Sequence, residues 1–256
     1  MTAGPIRTID LNADIGEHDG DGYAADCALL DVVSSASIAC GGHAGSADVM
    51  ERTAREAMER GVAIGAHPSF PDREGFGRRQ VSLGLDAIAA SVRDQIDMLA
   101  ECCLRAGAPV RYVKLHGALY NRAATDPALA LVLAECIKGI DAGLVVLTLP
   151  ASAIERASRA AALTTAREGF IDRAYMRDGT LAPRERDGAV LHDAESLAAR
   201  AVTIALGKNV ETIDGGSIEI DAQSLCVHGD SRNALGIVRL ARARLEASGF
   251  SVRPFA

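Results

Sequence analysis

The sequence predicts a single (β/α) barrel, and three observations predict it. Short apolar, β-branched runs alternate with stretches of helical periodicity along the whole chain. At 256 residues the chain has the length that such a barrel needs. Polar, titratable clusters follow directly on the ends of several runs, where a barrel gathers its site.

The runs at 6–11, 37–40, 62–66, 112–115, 144–149 and 224–227 are nearly continuous in apolar character, as parallel strands buried on both faces are. Ser46 can cap a helix that Gly61 ends. In 85–106, Ile88, Val92, Ile96, Leu99 and Cys103 step by three and four and make one helix face, and Gly107 follows as a stop. The stretches 193–206 and 230–248 repeat the pattern, with Leu197, Ala201 and Ala205 in one and Ile237, Ala241 and Leu245 in the other. Such repetition implies parallel strands with right-handed crossovers. No G-x-G-x-x-G follows the first run and no G-x-x-x-x-G-K-[ST] occurs, so an open nucleotide-binding sheet has no support. Without a linker or repeat, residues 1–256 read as one domain, in which 67–83 and 168–189 are long enough to be functional loops.

Hydrophobic residues make up 48% of the chain and charged residues 24%, the balance of a soluble globular protein. Trp is absent and aromatics are 4%, so aliphatic side chains must fill the core. A net charge of −7 argues against nucleic acid or an anionic membrane as partner. The scatter of Cys27, Cys40, Cys102, Cys103, Cys136 and Cys226 fits neither a zinc framework nor a disulfide ladder. Cys40 and Cys226 lie in apolar runs, where packing explains them better than nucleophilic chemistry does. Residues 1–7 lack the apolar core of a signal peptide, and the most apolar stretch, 143–150, is too short to span a bilayer. A reduced, cytoplasmic protein is expected.

The chemistry gathers at the ends of the runs. Asp10, Asn12, Asp14 and Glu17 end the first, His43 follows Gly41-Gly42 after the second, and His67 ends the third. Lys114 and His116 end the fourth, and His228 with Asp230 the last. A single histidine after a strand is more often a loop hydrogen-bonder, but four of six histidines at one topological position point to a shared site. His18 and His192 lie off the pattern and read as solvent-facing. Asp10, Asn12 and Asp14, spaced by two, share a strand face. Inside a barrel they must bind one another, a hard divalent ion or a ligand, or else cap backbone donors. Lys114 and His116 share a face by the same spacing, which suits holding a carboxylate or phosphate beside an acid or base; a salt bridge from Lys114 to an acidic cluster is the plainer reading. Gly41-Gly42 could cradle an anion with backbone N–H groups or simply make a tight turn.

Asp10-Leu11-Asn12-Ala13-Asp14-Ile15-Gly16-Glu17, Ile38-Ala39-Cys40-Gly41-Gly42-His43-Ala44-Gly45, the stretch 65–79 from Gly65-Ala66-His67-Pro68 to Gly77-Arg78-Arg79, Lys114-Leu115-His116-Gly117-Ala118-Leu119-Tyr120-Asn121, Phe170-Ile171-Asp172-Arg173-Ala174-Tyr175 and Cys226-Val227-His228-Gly229-Asp230 resemble the LamB/YcsF family, in the family's order. Ala13, Gly42 and Leu115 depart from residues more usual there (Cys, Phe and Pro), and Gly42 is expected to open space beside His43. The resemblance implies a distorted barrel of about seven parallel strands, like those of sugar-chain deacetylases. It implies ATP-dependent hydrolysis of 5-oxo-L-proline to L-glutamate, with partner subunits B and C of a 5-oxoprolinase. Within it, Asp10 or Asp14 would be the general base for water, His116 the acid for the ring nitrogen, and Lys114 the holder of phosphate or carboxylate. Asn12, Glu17, Asp172, Arg173 and His228 would shape the substrate pocket, and Arg78 or Arg79 would close over it. The rival is a metal-dependent amide or ester hydrolase such as a deacetylase, with Asp14, His43 and His67 as ligands of a divalent ion; a non-catalytic scaffold is a third reading. Loss of Lys114 or His116 is expected to leave stability within about 2 kcal/mol, provided that Lys114 is not the sole partner of a buried acid.

Overall fold

The computed structural model describes residues 7–229 and 233–256; Ile6 of the first predicted run and Asp230 lie outside them. The chain runs β1 (Arg7–Ile15), α1 (Asp21–Leu30), β2 (Ser35–Ala39), α2 (Ala47–Glu59), β3 (Ala63–His67), α3 (Leu85–Ala106), β4 (Val110–Val113), α4 (Gly117–Thr125), α5 (Pro127–Ile140), β5 (Val145–Thr148), α6 (Ala153–Ala160), β6 (Thr165–Phe170), α7 (Ala194–Ala205), β7 (Asn209–Glu211), β8 (Ser217–Glu219), β9 (Ser224–Val227), α8 (Ala234–Ala247) and β10 (Phe250–Val252). Strands β1, β2, β3, β4, β5, β6 and β9 pair in that order, all parallel, and β9 returns to β1, which closes a barrel of seven strands. It is distorted: the register shifts between Ile64 and Gly65, and β10 replaces β9 beside the first residues of β1. Between β6 and β9 the chain passes through a long loop, α7 and the antiparallel hairpin β7–β8.

The helix signals act where their chemistry places them. Ser46 Oγ accepts from Val49 N and starts α2, Asp193 accepts from Ser196 N and starts α7, and α3 ends on Gly107 in the left-handed conformation. The first strand reaches Ile15, past the predicted end at 11. Its polar residues do not terminate it; Asp10, Asn12 and Asp14 face the barrel interior, while Ile9, Leu11, Ala13 and Ile15 keep the outer face apolar and join Ile38, Ile64, Leu99 and Leu245 in the core under the helices. Strand β6 was not expected, because Arg167, Glu168 and Gly169 break its apolar run.

The interior needs one missing side chain. Tyr112 lies fully buried, with its hydroxyl 3.1 Å from Ser37 Oγ and its ring edge-on to Phe255. A Cβ on Gly65 would lie 2.1 Å from the Tyr112 ring. Gly65→Ala is therefore expected to lower the unfolding free energy by about 3 kcal/mol, read by chemical denaturation. A loss within about 0.5 kcal/mol would mean that the ring has room to move.

Candidate active site

The interior polar groups form layers along the barrel axis, because alternate residues of each parallel strand point inward. In the lowest layer Asp10 is 1% exposed and accepts from Ser34 Oγ (2.6 Å), Ser35 Oγ (2.7 Å) and Ser224 Oγ. Burial outweighs these donors and pushes its carboxyl up from 3.8 to about 6. Asp10 does not line the cavity at the barrel mouth, so the structure places it as a tie between β1, β2 and β9 rather than beside a reacting water.

Lys114 occupies the next layer. Its ammonium lies 2.8 Å from Asp14 Oδ1, 2.9 Å from Glu168 Oε1, 3.1 Å from Asn12 Oδ1 and 3.1 Å from Cys226 Sγ. Asn12 Nδ2 donates to Glu168 Oε1, and Tyr120 OH donates to Glu168 Oε2, both at 3.0 Å. Burial opposes the charge on Lys114, but Asp14 and Glu168 outweigh it and hold the ammonium well above its usual range. Burial likewise opposes the charge on Asp14, and His67 and Lys114 keep its carboxyl well below the usual range. The plainer reading of Lys114, a salt bridge to an acidic cluster, is what the structure contains. Lys114 lines the cavity with two carboxylates already against its ammonium, and Asp10, Asn12 and Asp14 are spread over layers rather than arranged around one ion. Cys226 stays a protonated thiol, because burial pushes its pKa well above the usual range despite the nearby Lys114.

At the mouth, four buried side chains converge. Glu17, His43, His67 and His116 each bring one donor atom within 4.8 Å of the others. His43 and His116 stack with ring centroids 3.7 Å apart, and His67 meets His116 edge-on. His43 Nε2 is 3.1 Å from Glu17 Oε1, and His67 Nε2 is 3.4 Å from Asp14 Oδ1. Burial drives His43 down to about 4, and burial with the neighbouring imidazoles holds His116 well below its usual range. The described residues thus contain a group able to hold a metal ion, but its membership differs from Asp14, His43 and His67. Asp14 is committed to Lys114, and Glu17 and His116 complete the set. His116 is also not disposed as an acid for a ligand, since Nε2 donates to the Phe76 carbonyl at 2.9 Å and Nδ1 faces His67 Nε2 at 2.9 Å.

Surrounding segments hold these groups in place. Asp26 Oδ2 accepts from the backbone of Gly16, Glu17 and His18, which fixes the turn that carries Glu17; His18, its side chain 40% exposed as that of a solvent-facing residue is, also sets Nδ1 3.1 Å from Asp26 Oδ1. Asp72 accepts from Gly75 N and pairs with Arg79, which closes the loop presenting Phe76. Arg79 does not line the cavity, whereas Arg78 does. Gly41 N donates to Ala44 O within a turn, and Arg73 caps the carbonyls of Gly41 and Gly45. Gly42 does not open space beside His43: a Cβ there would lie 2.3 Å from Gln95 Oε1, and Gln95 bridges the backbone of Ser69.

The mouth opens into a cavity of 390 Å³ lined by Asp14, His67, His116, Arg78, Arg173 and His228 among others. His228 accepts no loose placement: its backbone N donates to Asp172 Oδ2 (3.1 Å) and its Nδ1 lies 2.9 Å from Asp172 Oδ1. Since a carboxylate only accepts, Nδ1 carries the proton, and Nε2 is the ring's remaining nitrogen on the cavity wall. Arg173 donates to the carbonyls of Ala189 and Ala182, and burial pulls its pKa down to about 10. The strand ends therefore bring Asp14, His43, His67, Lys114 and His228 to one mouth. Asp26 and Glu168 are the members that sequence reasoning missed; Asp26 lies in an unforeseen helix and Glu168 in the unforeseen strand.

A family model described as LamB/YcsF matches residues 9–256. The chain is 47% identical over 252 residues, 98% of its length and 99% of the relative's, to a 5-oxoprolinase A subunit of Agrobacterium fabrum. The crystal structure of a lactam utilization protein from Thermus thermophilus superposes with a TM-score of 0.88 at 40% identity, over 97% of this chain and 100% of that one. The catalytic domain of a peptidoglycan N-acetylglucosamine deacetylase from Eubacterium rectale shares the barrel, with a TM-score of 0.53 at 11% identity over 100% of this chain and 91% of that one. That likeness concerns the fold alone.

The layers make two expectations measurable. Lys114→Ala leaves two buried carboxylates without their cation, so it is expected to cost about 3–5 kcal/mol in denaturant unfolding rather than the 2 kcal/mol or less expected if the lysine were a free mouth residue. A loss below about 1 kcal/mol would contradict the triad. For Asp10, a raised folded pKa means that its stabilising contribution is fully present below pH 3.8 and lost as pH rises through about 6. Asp10→Asn should flatten the stability–pH curve over that window by about 3 kcal/mol, and an unchanged slope would show that Asp10 does not cause it.

Proposed function

The chain belongs to the LamB/YcsF family, and on that premise we propose that it is a 5-oxoprolinase A subunit, a hydrolase that opens the cyclic amide of 5-oxo-L-proline to give L-glutamate. The observation that carries the reading is His228, paired with Asp172, lining one cavity with the Asp14 carboxylate, in a chain 47% identical over 98% of its length to a protein named for that activity. A five-membered lactam has a poor leaving group, which explains a requirement for ATP. The absence of a P-loop motif here supports a division of labour in which partner subunits B and C bind ATP and transfer its terminal phosphoryl group to the lactam oxygen. This chain then receives the activated ring. The cytoplasm is the compartment that supplies ATP, and no described helix is long and apolar enough to cross a membrane.

In that reaction water adds to the activated ring carbon, the carbon–nitrogen bond breaks, and the nitrogen leaves with a proton as the amine of glutamate. The resulting acyl phosphate takes a second water and releases inorganic phosphate. His228, oriented by Asp172, takes a proton from water and returns one to the nitrogen, joining the base role first given to Asp10 or Asp14 and the acid role first given to His116. Asp14 remains ionised and orients the attacking water, while Asp10 serves the barrel floor. Arg173, with Arg78 and Arg184 on the same cavity wall, holds the carboxylate or phosphoryl oxygens, since the Lys114 ammonium already has two carboxylates upon it.

Co-expression with both partners and an assay of glutamate release is the test. Glutamate is expected only with this chain, both partners and ATP together, and His228→Asn is expected to lower turnover by about 10²- to 10⁴-fold with an unchanged thermal melt. Hydrolysis of ATP by this chain alone in the presence of 5-oxoproline would overturn the division of labour. Release of acetate from acetylated sugars by this chain alone would favour the deacetylase reading.

A further inference from the structure

From the tautomers that the backbone imposes at the barrel mouth, we infer that Glu17, His43, His67 and His116 form a binding site for one divalent transition-metal ion. His67 Nδ1 lies 2.7 Å from the Lys114 carbonyl, and His116 Nε2 lies 2.9 Å from the Phe76 carbonyl. A carbonyl only accepts, so both of these nitrogens carry the ring proton. In the neutral rings the opposite nitrogens, His67 Nε2 and His116 Nδ1, carry lone pairs; they face each other at 2.9 Å, and Asp14 Oδ1 lies 3.4 Å from His67 Nε2. Two lone pairs at that distance repel unless something positive stands between or beside them. The loop that delivers the Phe76 carbonyl does so with Phe76 itself at φ 54°, a left-handed conformation unusual for this residue. The protein accepts that strain and thereby fixes the tautomer of His116.

The rest of the group suits a cation better than a lone proton. Glu17 Oε1 lies 3.7 Å from His116 Nδ1 and 3.1 Å from His43 Nε2, so a carboxylate and a third imidazole point at the same space. Ligands about 2.0–2.2 Å from an ion stand about 3–3.5 Å apart, close to the separations seen here. An imidazole that donates its outer N–H to a backbone carbonyl is the usual second contact of a metal-binding histidine, because it orients the ring and raises its basicity. Three imidazoles and one carboxylate favour zinc, cobalt, nickel or iron(II) over magnesium or calcium, whose preference is for oxygen. His67 and His116 also line the cavity, so a bound ion would face whatever occupies it.

The test is metal binding by the purified, chelator-treated chain, and it reads no activity, so it stands or falls separately from the ring-opening reaction. Calorimetric titration with zinc chloride is expected to give one ion per chain with a Kd below about 1 µM. His67→Ala and the near-isosteric Glu17→Gln are expected to weaken it by on the order of 100-fold, while His192→Ala, an exposed histidine outside the group, leaves it unchanged. Cobalt(II) provides a readout on the unaltered protein: visible ligand-field bands of a nitrogen-rich, low-coordination site are expected, and zinc should displace them. Absence of stoichiometric zinc binding and of those bands would overturn the site and leave a proton shared by His67 and His116, which histidine nitrogen NMR of the metal-free chain would show directly. Zinc retained by His67→Ala but lost by His192→Ala would overturn it equally.

Discussion

A lysine ammonium inside a parallel barrel is tolerable only where carboxylates meet it, and Lys114 is met by two, Asp14 at 2.8 Å and Glu168 at 2.9 Å. The three groups come from β1, β6 and the end of β4, so the contact joins strands that are not sheet neighbours. Apolar filling would pack the same space at lower desolvation cost. The charged filling instead fixes where each strand end stands, since a shift of any one strand leaves a charge buried without its partner. Lys114 and His67 keep Asp14 ionised at the base of the mouth, and the imidazole of His67 lies within reach of its carboxylate.

From this layer the chemistry separates upward and downward. Below it, Asp10 and its serines tie strands together. Above it, two polar arrangements share the cavity wall. On one side the backbone carbonyls of Lys114 and Phe76 turn His67 and His116 toward each other; on the other, Asp172 holds His228 on the cavity wall. Lys114 serves both the interior and the mouth, since its side chain anchors the triad and its carbonyl sets a histidine tautomer.

Much of this was legible in residues alone. Nearly continuous apolar runs located six barrel strands, and the stop at Gly107 and the cap at Ser46 located helix ends, because these signals act locally. That the histidines share a mouth followed from topology. Glu168 escaped because the strand that carries it has its apolar run interrupted by Arg167, Glu168 and Gly169; an inward-facing charge looks like a loop until its partner on another strand is known. For the same reason the salt bridge open to Lys114 could not be given its partners: the pairing with Asp14 spans 100 residues. The division of labour among histidines was also out of reach, since it depends on which ring nitrogen meets a carbonyl, and the Phe76 carbonyl is presented by a loop whose course no periodicity encodes.

The most direct test of the account is a double-mutant cycle on the triad, measured by denaturant unfolding of Lys114→Met, Glu168→Gln and the combined variant. If the ammonium is held in the barrel by its carboxylates, removing Glu168 after Lys114 is already gone should be far less damaging than removing it from the intact protein, with a coupling of at least about 2 kcal/mol. Additivity within about 0.5 kcal/mol would contradict the claim that this interaction organises the barrel interior and the site above it.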